Sequence, residues 1–309
     1  MQSETQPEID FASPSEPLSI GIIGAGAIGS ALGELAAAAN GREVRYWDTD
    51  RAKCTAASLA ELVAASDVLL ICVSTVYLES VAAEIGAALP EGRRVLVLTV
   101  AKGVSTGLEN AALILGRAAA GRFDFGVFYG PMLAAEVAAQ GRLAAVAAVS
   151  DPSWFGCLDG AFGEASRVVY SDNPRSVALC GVLKNIYAVA LGLASGLGWG
   201  YNDRGRLLVE IMAEFRDLLV VLGGDAADAD GLAGLGDLIA TGSSELSFNF
   251  RAGMTLADGE PPKGEGINSL NELDSVADLD LEDYIVINIL SGIAFKGLEP
   301  SALWQTVVG

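Results

Sequence analysis

The sequence predicts an α/β fold: a doubly wound, mostly parallel sheet, followed by an all-α C-terminal domain. Three observations carry this expectation. The apolar run Leu18–Ile23 leads straight into Gly24-Ala25-Gly26-Ala27-Ile28-Gly29 and then into an alanine-rich helical stretch, Ser30–Ala39. Short apolar runs then alternate with segments of helical periodicity as far as Tyr170, which is the pattern of βα units. Beyond Ser171-Asp172-Asn173-Pro174, where turn formers meet a proline suited to a helix start, the pattern is helical only.

Strand, GxGxxG turn and helix together give the first unit its chemistry. The glycines allow a tight turn, close approach of a pyrophosphate and close helix–strand packing. The helix N-terminus supplies amide donors and a positive dipole to the phosphates. Glu43–Trp47 follows as a second strand ending at Asp48, where an acidic residue holds the adenine ribose hydroxyls and repels a 2′-phosphate. The alternative is that Asp48 is a turn or capping residue before the next helix. The unit reads as Rossmann-like, with NAD the expected cofactor and NADP possible.

Further strands are expected at Asp67–Val73, Arg94–Val100, Phe125–Tyr129 and Leu143–Val149, with an edge strand at Arg167–Tyr170 and a helix at Leu78–Leu89. Two strand ends carry suggestive residues, where ligands of such sheets gather. Val100 runs into Ala101-Lys102-Gly103, and Tyr129 into Gly130-Pro131-Met132-Leu133-Ala134-Ala135-Glu136. Taken alone, Lys102 reads as a surface lysine and Gly130-Pro131 as a simple turn.

The second half is organised around Val177–Asn202. From Val177 to Ala194 its strongly polar side chains are Lys184 and Asn185. A helix apolar all round is a buried helix. Complete burial can lower a lysine pKa by ~3–5 units, which suits acid–base work near neutral pH. The alternatives are that Lys184 snorkels to a surface or pairs with a structural carboxylate. The five glycines from Gly181 to Gly200 suggest a backbone that a ligand approaches closely. A membrane span is not expected, since a central lysine costs roughly 2.5–3.5 kcal/mol on insertion scales. Arg206–Leu222 follows as an amphipathic core helix. Gly231–Asp237 with Thr241, Ser243, Ser244, Ser247 and Asn249 reads as a polar loop that lines a ligand or merely connects, and Leu281–Phe295 and Pro300–Val308 as closing helices.

Composition sets the outer bounds. A chain of 309 residues, 51% hydrophobic and 19% charged, suits two domains with ample cores. Its 39 acidic against 19 basic residues give a formal charge of −20, which argues against nucleic acid and anionic membranes as partners. There is no histidine, so the commonest general base and commonest metal ligand are both missing. Cys54, Cys72, Cys157 and Cys180 form no CxxC pair, so no metal is expected and reduced cytoplasmic thiols are the economical reading. Residues 1–17 lack the basic start and apolar run of a signal peptide and read as a disordered acidic tail. The expected division is a dinucleotide-binding domain over 18–173 and a helical substrate domain over 174–309.

These residues resemble the NAD(P)-dependent glycerol-3-phosphate dehydrogenases from Leu18 onward. The resemblance rests on an ordered set: Gly24–Gly29, Lys102-Gly103, Gly130-Pro131 with Ala134 and Glu136, Leu183-Lys184-Asn185, Gly198–Asn202 with Arg204, the run ending at Asp237, Ser247 with Asn249, and Glu265-Gly266. It implies that Lys184 is the catalytic acid/base, helped by Lys102 and Asp237. It places Gly24, Gly26, Ala27, Ile28, Gly29, Asp48, Lys102, Ala134 and Glu265 at the cofactor. Around a phosphorylated substrate it places Lys102, Gly130, Lys184, Asn185, Asp237, Ser247 and Asn249. It also implies a homodimer.

The chain departs from the family where Phe248 replaces a phosphate-binding arginine, where Met132 replaces a threonine, and at Ile28, where an aromatic residue is usual. Arg251 lies at i+3 from position 248 and is the nearest replacement cation. The alternatives are a reductase of the same fold acting on another small hydroxy or keto compound, and a nucleotide-sensing homologue with weak turnover.

Overall fold

The computed structural model describes residues 18–40, 43–276 and 279–307. The expected acidic tail, residues 1–17, lies outside the described residues.

Seven strands form the main sheet: β1 (Ile20–Ile23), β2 (Arg45–Trp47), β3 (Val68–Ile71), β4 (Leu96–Thr99), β7 (Asp124–Tyr129), β8 (Ala144–Val149) and β9 (Arg167–Ser171). A two-stranded ribbon, β5 (Val104–Ser105) with β6 (Glu109–Asn110), stands apart from it. The sheet order is β2-β1-β3-β4-β7-β8-β9; the first five strands run parallel, and β8 reverses against β7. All seven expected strands are present. The ribbon was not expected, because two-residue strands show no alternation to read. β1, β3 and β4 are buried at every position, as strands covered on both faces must be. The chain leaves β1 toward β2 on one side and returns to β3 on the other, so the switch point lies just past the ends of β1 and β3.

Helices cover both faces. α1 (Ala27–Asn40) and α5 (Ala134–Gln140) lie on one side; α2 (Leu59–Ala65), α3 (Leu78–Ala88) and α4 (Ala111–Ala119) lie on the other. The second face runs without a break into the helical half, so one continuous core joins the sheet to α6 (Pro174–Gly196). α6 starts with Asn173 accepting a hydrogen bond from the Ser176 amide and Pro174 in its first turn. It is buried without interruption from Ser176 to Ala194. By composition it is long and apolar enough to cross a membrane, yet all of its most apolar window is covered by protein.

Around α6 stand α7 (Tyr201–Val221), the short α8 (Ala226–Ala229), α9 (Asp237–Gly242), α10 (Phe248–Ala257), α11 (Glu265–Asp274), α12 (Ile285–Phe295) and α13 (Ala302–Val307). α7 begins before the expected Arg206, since Gly200 serves as its N-cap. Two expectations are corrected. Gly192 and Gly196 of α6 do not open the backbone to a ligand; they let helices touch. A side chain at Gly192 would strike the Phe250 carbonyl of α10, and one at Gly253 would strike the Val189 carbonyl of α6. Nor is Gly231–Asn249 a loop. Leu232–Gly236 is a π-helical turn, α9 follows at once, and Ser247 caps α10 by accepting from the Phe250 amide at 3.3 Å. Its glycines allow close packing, as where Gly234 lies against the Ala229 carbonyl.

Candidate active site

The dinucleotide turn sits at the switch point. Gly24 has φ +95°, and a side chain there would meet Val73 and the Cys72 backbone, so glycine is required on both counts. A side chain on Gly29 would run into the Gly24 carbonyl, which shows how tightly α1 closes onto the turn. Gly26 differs: it is exposed, and an added Cβ would meet nothing within 4 Å among the described residues. Ala27 is exposed beside it and Ile28 half-buried. The open side of the turn therefore faces the first amides of α1, which have no carbonyl partner within the helix. That arrangement fits a pyrophosphate.

At the end of β2, Asp48 accepts a hydrogen bond from the Ala25 amide at 2.7 Å and another from the Asp50 amide at 2.8 Å. The Asp50 amide is the main reason the carboxyl is held below its usual pKa, with the Ala25 amide adding to it against partial burial. Asp48 is thus a turn residue and also a fixed anion beside the dinucleotide turn.

The second constellation gathers side chains from three places. Lys102 follows β4 at the carboxyl edge of the sheet. Lys184 lies mid-way along α6. Asp237 opens α9, immediately after the π-helical turn, a feature often found at functional sites. Asp237 Oδ2 takes Lys102 Nζ at 2.7 Å and Lys184 Nζ at 3.2 Å. Thr241 lies four residues on, on the same face of α9. Its hydroxyl accepts from Lys184 Nζ at 2.9 Å and donates to Asp237 Oδ1 at 3.1 Å. Lys102 Nζ also donates to the Gly130 carbonyl at 3.4 Å.

The electrostatics follow from burial. Burial pushes Lys184 down to about 8; Asp237 opposes the fall and Lys102 adds to it. Burial alone would raise Asp237, but its two ammonium neighbours outweigh that and hold it below the usual carboxylate range. Two ammonium groups against one carboxylate leave an excess positive charge when both lysines are protonated. Glu265, at the start of α11, faces the same cleft, its Oε1 beside Gly103. Protein crowded around its carboxyl raises the pKa, while Lys184 and then Lys102 pull it back.

Other expected site residues are placed as follows. Asn185 is buried beside Lys184, its carbonyl against Gly266. Asn249 is buried, and its Oδ1 accepts from the Gly266 amide at 3.0 Å, tying α10 to the start of α11. Ala134 is half-buried at the start of α5. Phe248 is 77% exposed. Arg251 stacks over its ring with the guanidinium carbon 4.4 Å from the centroid, and donates to the Glu245 carbonyl. The i,i+3 relation therefore places Arg251 against position 248, with part of its donor set already used. Thr241 was expected only as one hydroxyl of a ligand-lining or connecting stretch, not as a partner of Lys184, and Thr75 was not singled out from sequence. Thr75 Oγ1 accepts from the Gly103 amide at 3.0 Å and steadies the Lys102 loop. Thr241 had a usable signal in its i+4 spacing from Asp237; Thr75 had none.

Fold and site together define a nicotinamide-dinucleotide-dependent dehydrogenase, with a sheet domain for the cofactor and a helical half that supplies a buried lysine. The chain belongs to the NAD-dependent glycerol-3-phosphate dehydrogenase family. Its N-terminal family profile matches residues 54–155 and its C-terminal profile residues 173–305. Residues 8–77 also match the NAD-binding domain of the D-isomer-specific 2-hydroxyacid dehydrogenases. The chain is 32% identical to a glycerol-3-phosphate dehydrogenase [NAD(P)+] of Lactobacillus delbrueckii subsp. bulgaricus, over 87% of this chain and 91% of that one. A Synechocystis enzyme of the same name is 31% identical, over 87% and 86%. The crystal structure of glycerol-3-phosphate dehydrogenase from Coxiella burnetii superimposes with a TM-score of 0.78 at 25% identity, covering 94% of this chain and 98% of that one.

Proposed function

We propose that this protein interconverts sn-glycerol 3-phosphate and dihydroxyacetone phosphate, with Lys184 as the general acid and base. The observation that carries the reading is a lysine buried in α6, drawn down to about 8, and aimed by Asp237 and Thr241. The nicotinamide cofactor, when bound, gives or takes the hydride. In reduction, the Lys184 ammonium donates a proton to the substrate oxygen as negative charge grows there. In oxidation, the neutral amine takes the hydroxyl proton. Lys102 adds a second positive charge that stabilises the developing alkoxide, and Asp237 keeps Lys184 oriented.

Gly24, Gly26, Ala27, Ile28, Gly29, Asp48, Lys102, Ala134 and Glu265 serve the cofactor. Gly130, Asn185, Ser247, Asn249 and Arg251 serve the substrate with the lysines. The same reading makes the protein a cytoplasmic homodimer of glycerophospholipid metabolism; a single-chain mass by light scattering contradicts the dimer. Lys184→Met removes the proton donor while keeping length and apolarity. Turnover is expected to drop by about 10²–10⁴-fold, the usual contribution of a general acid–base group, with NADH affinity nearly unchanged. Wild-type turnover in this variant returns Lys184 to a structural role.

A second reading, a reductase of an unphosphorylated hydroxy or keto compound, draws support from Phe248. An arginine fork there would make charge-assisted bonds to phosphate worth roughly 1.5–3 kcal/mol; an exposed phenyl ring cannot. Arg251 is the nearest substitute cation. Phe248→Arg is expected to lower the Michaelis constant for dihydroxyacetone phosphate about tenfold, and Arg251→Ala to raise it. No change from either, with faster turnover of an unphosphorylated ketone, favours the second reading.

A further inference from the structure

Lys102 leaves β4 on a short loop, and what fixes its ammonium is not obvious from its own segment. Asp237 Oδ2 and the Gly130 carbonyl hold Nζ from two sides. Beneath them lies Tyr129, the last residue of β7. It is fully buried, and its ring centroid is 5.4 Å from Lys102 Nζ. Its hydroxyl donates to the carbonyl of Ala101, the residue before Lys102. The phenol therefore grips the loop by its backbone, while the ring face supports the side chain. A cation over an aromatic face is attracted by the ring quadrupole, the more so when desolvated. Burial, with Glu265 and Asp237 nearby, pushes the Tyr129 phenol well above its ordinary value, so it remains a donor throughout the working range.

α6 is shaped to receive this ring. A Cβ at Gly181 would lie 2.6 Å from Tyr129 Cε2 and 3.2 Å from Lys102 Cγ. Gly181 is three residues before Lys184, so the catalytic helix carries a slot for the ring almost one turn from its lysine. The α6 glycines further along meet α10; this one meets the pair that sets Lys102.

We infer that Tyr129, seated in the Gly181 slot, is the positioning residue for Lys102: its hydroxyl fixes the Ala101 carbonyl and its ring fixes the ammonium. The inference rests on the proposed role of Lys102 at the substrate.

Two measurements separate the inference from that role. The first needs no substrate. Acylation by acetic anhydride, read at individual lysines by peptide mass spectrometry, reports how freely each amine moves. Tyr129→Phe removes the grip on Ala101, and Tyr129→Leu also removes the ring. Lys102 labelling is expected to rise about two- to threefold in the first and about five- to tenfold in the second, as hydrogen bonds and cation–π contacts of ordinary strength are lost. Labelling of surface lysines should stay constant. Unchanged Lys102 labelling in Tyr129→Phe, the near-isosteric variant that keeps the core filled, overturns the inference even if Tyr129→Leu does not fold.

The second is a double-mutant cycle on kcat/KM for dihydroxyacetone phosphate. Tyr129→Phe is expected to cost about three- to tenfold in the wild type but less than about twofold in Lys102→Met, because residues acting through one another are not additive. Equal losses in both backgrounds make Tyr129 a general packing residue and overturn the inference. Absence of turnover in the wild type strikes the proposed substrate and leaves the labelling result to decide on Tyr129.

Discussion

At the dinucleotide turn, six consecutive residues act through backbone shape; at the lysine cluster, four side chains converge from the β4 loop, α6 and α9. The first region works by leaving room. Gly24 and Gly29 close the turn, and Gly26 keeps one side open. The second works by exclusion of water: Lys184, Asp237 and Thr241 are all nearly fully buried, and burial sets the Lys184 pKa. Errors therefore take different forms. A misplaced methyl in the turn blocks a ligand or breaks packing, whereas a lost partner in the cluster changes charge.

The largest effect that separates the turn's glycines is expected at Gly29. Gly29→Ala puts a methyl into the Gly24 carbonyl, and overpacking of this kind costs about 1–3 kcal/mol. The melting temperature should drop by roughly 3–10 °C on that cost, and NADH binding should fail with it. Gly26→Ala meets no atom of the described residues within 4 Å, so its melting temperature should stay within about 1–2 °C of wild type on the same scale. It should nevertheless weaken NADH by about tenfold or more, which corresponds to roughly 1.4 kcal/mol. Calorimetry and fluorescence titration read both; a stable Gly26→Ala that binds NADH normally would show that the open side of the turn is not the phosphate cradle.

A smaller effect concerns cofactor choice. Asp48 is held as an anion by the Asp50 and Ala25 amides. Arg51, three residues further on, donates to the Ala57 carbonyl at 3.5 Å. NADH should therefore bind more tightly than NADPH, by about tenfold or more if repulsion of the 2′-phosphate is worth at least roughly 1.4 kcal/mol. Asp48→Asn should narrow the gap. Equal titration curves for the two cofactors in the wild type would remove Asp48 from that role.

The two regions were also unequally legible in sequence. The turn could be read because three glycines spaced GxGxxG between an apolar strand and a helix have few other uses. Lys184 could be read because a lysine in an otherwise apolar helix stands out chemically. Its environment could not be derived from residue type alone, since Asp237 lies 53 positions away and no local periodicity links them; the resemblance supplied that pairing. Gly192 and Gly196 misled, because close helix–helix contact and ligand approach both call for a missing side chain. The Gly231–Asn249 stretch misled for a related reason: glycine-rich sequence reads as loop, yet here it packs a π turn against α8. Tyr129 gave no signal at all, since an aromatic residue ending a buried strand is ordinary core.

The central claim is that burial and Asp237 leave Lys184 poised near pH 8 for work in both directions. The direct measurement is the pH dependence of kcat/KM in reduction and in oxidation, from about pH 6.5 to 9.5, at fixed ionic strength. Below its pKa Lys184 is an ammonium and a proton donor; above it, an amine and a base. The reductive rate should accordingly fall, and the oxidative rate rise, through a common apparent pKa of about 8. Profiles that are flat across this range, or that move in the same direction, would contradict the assignment of the proton to Lys184.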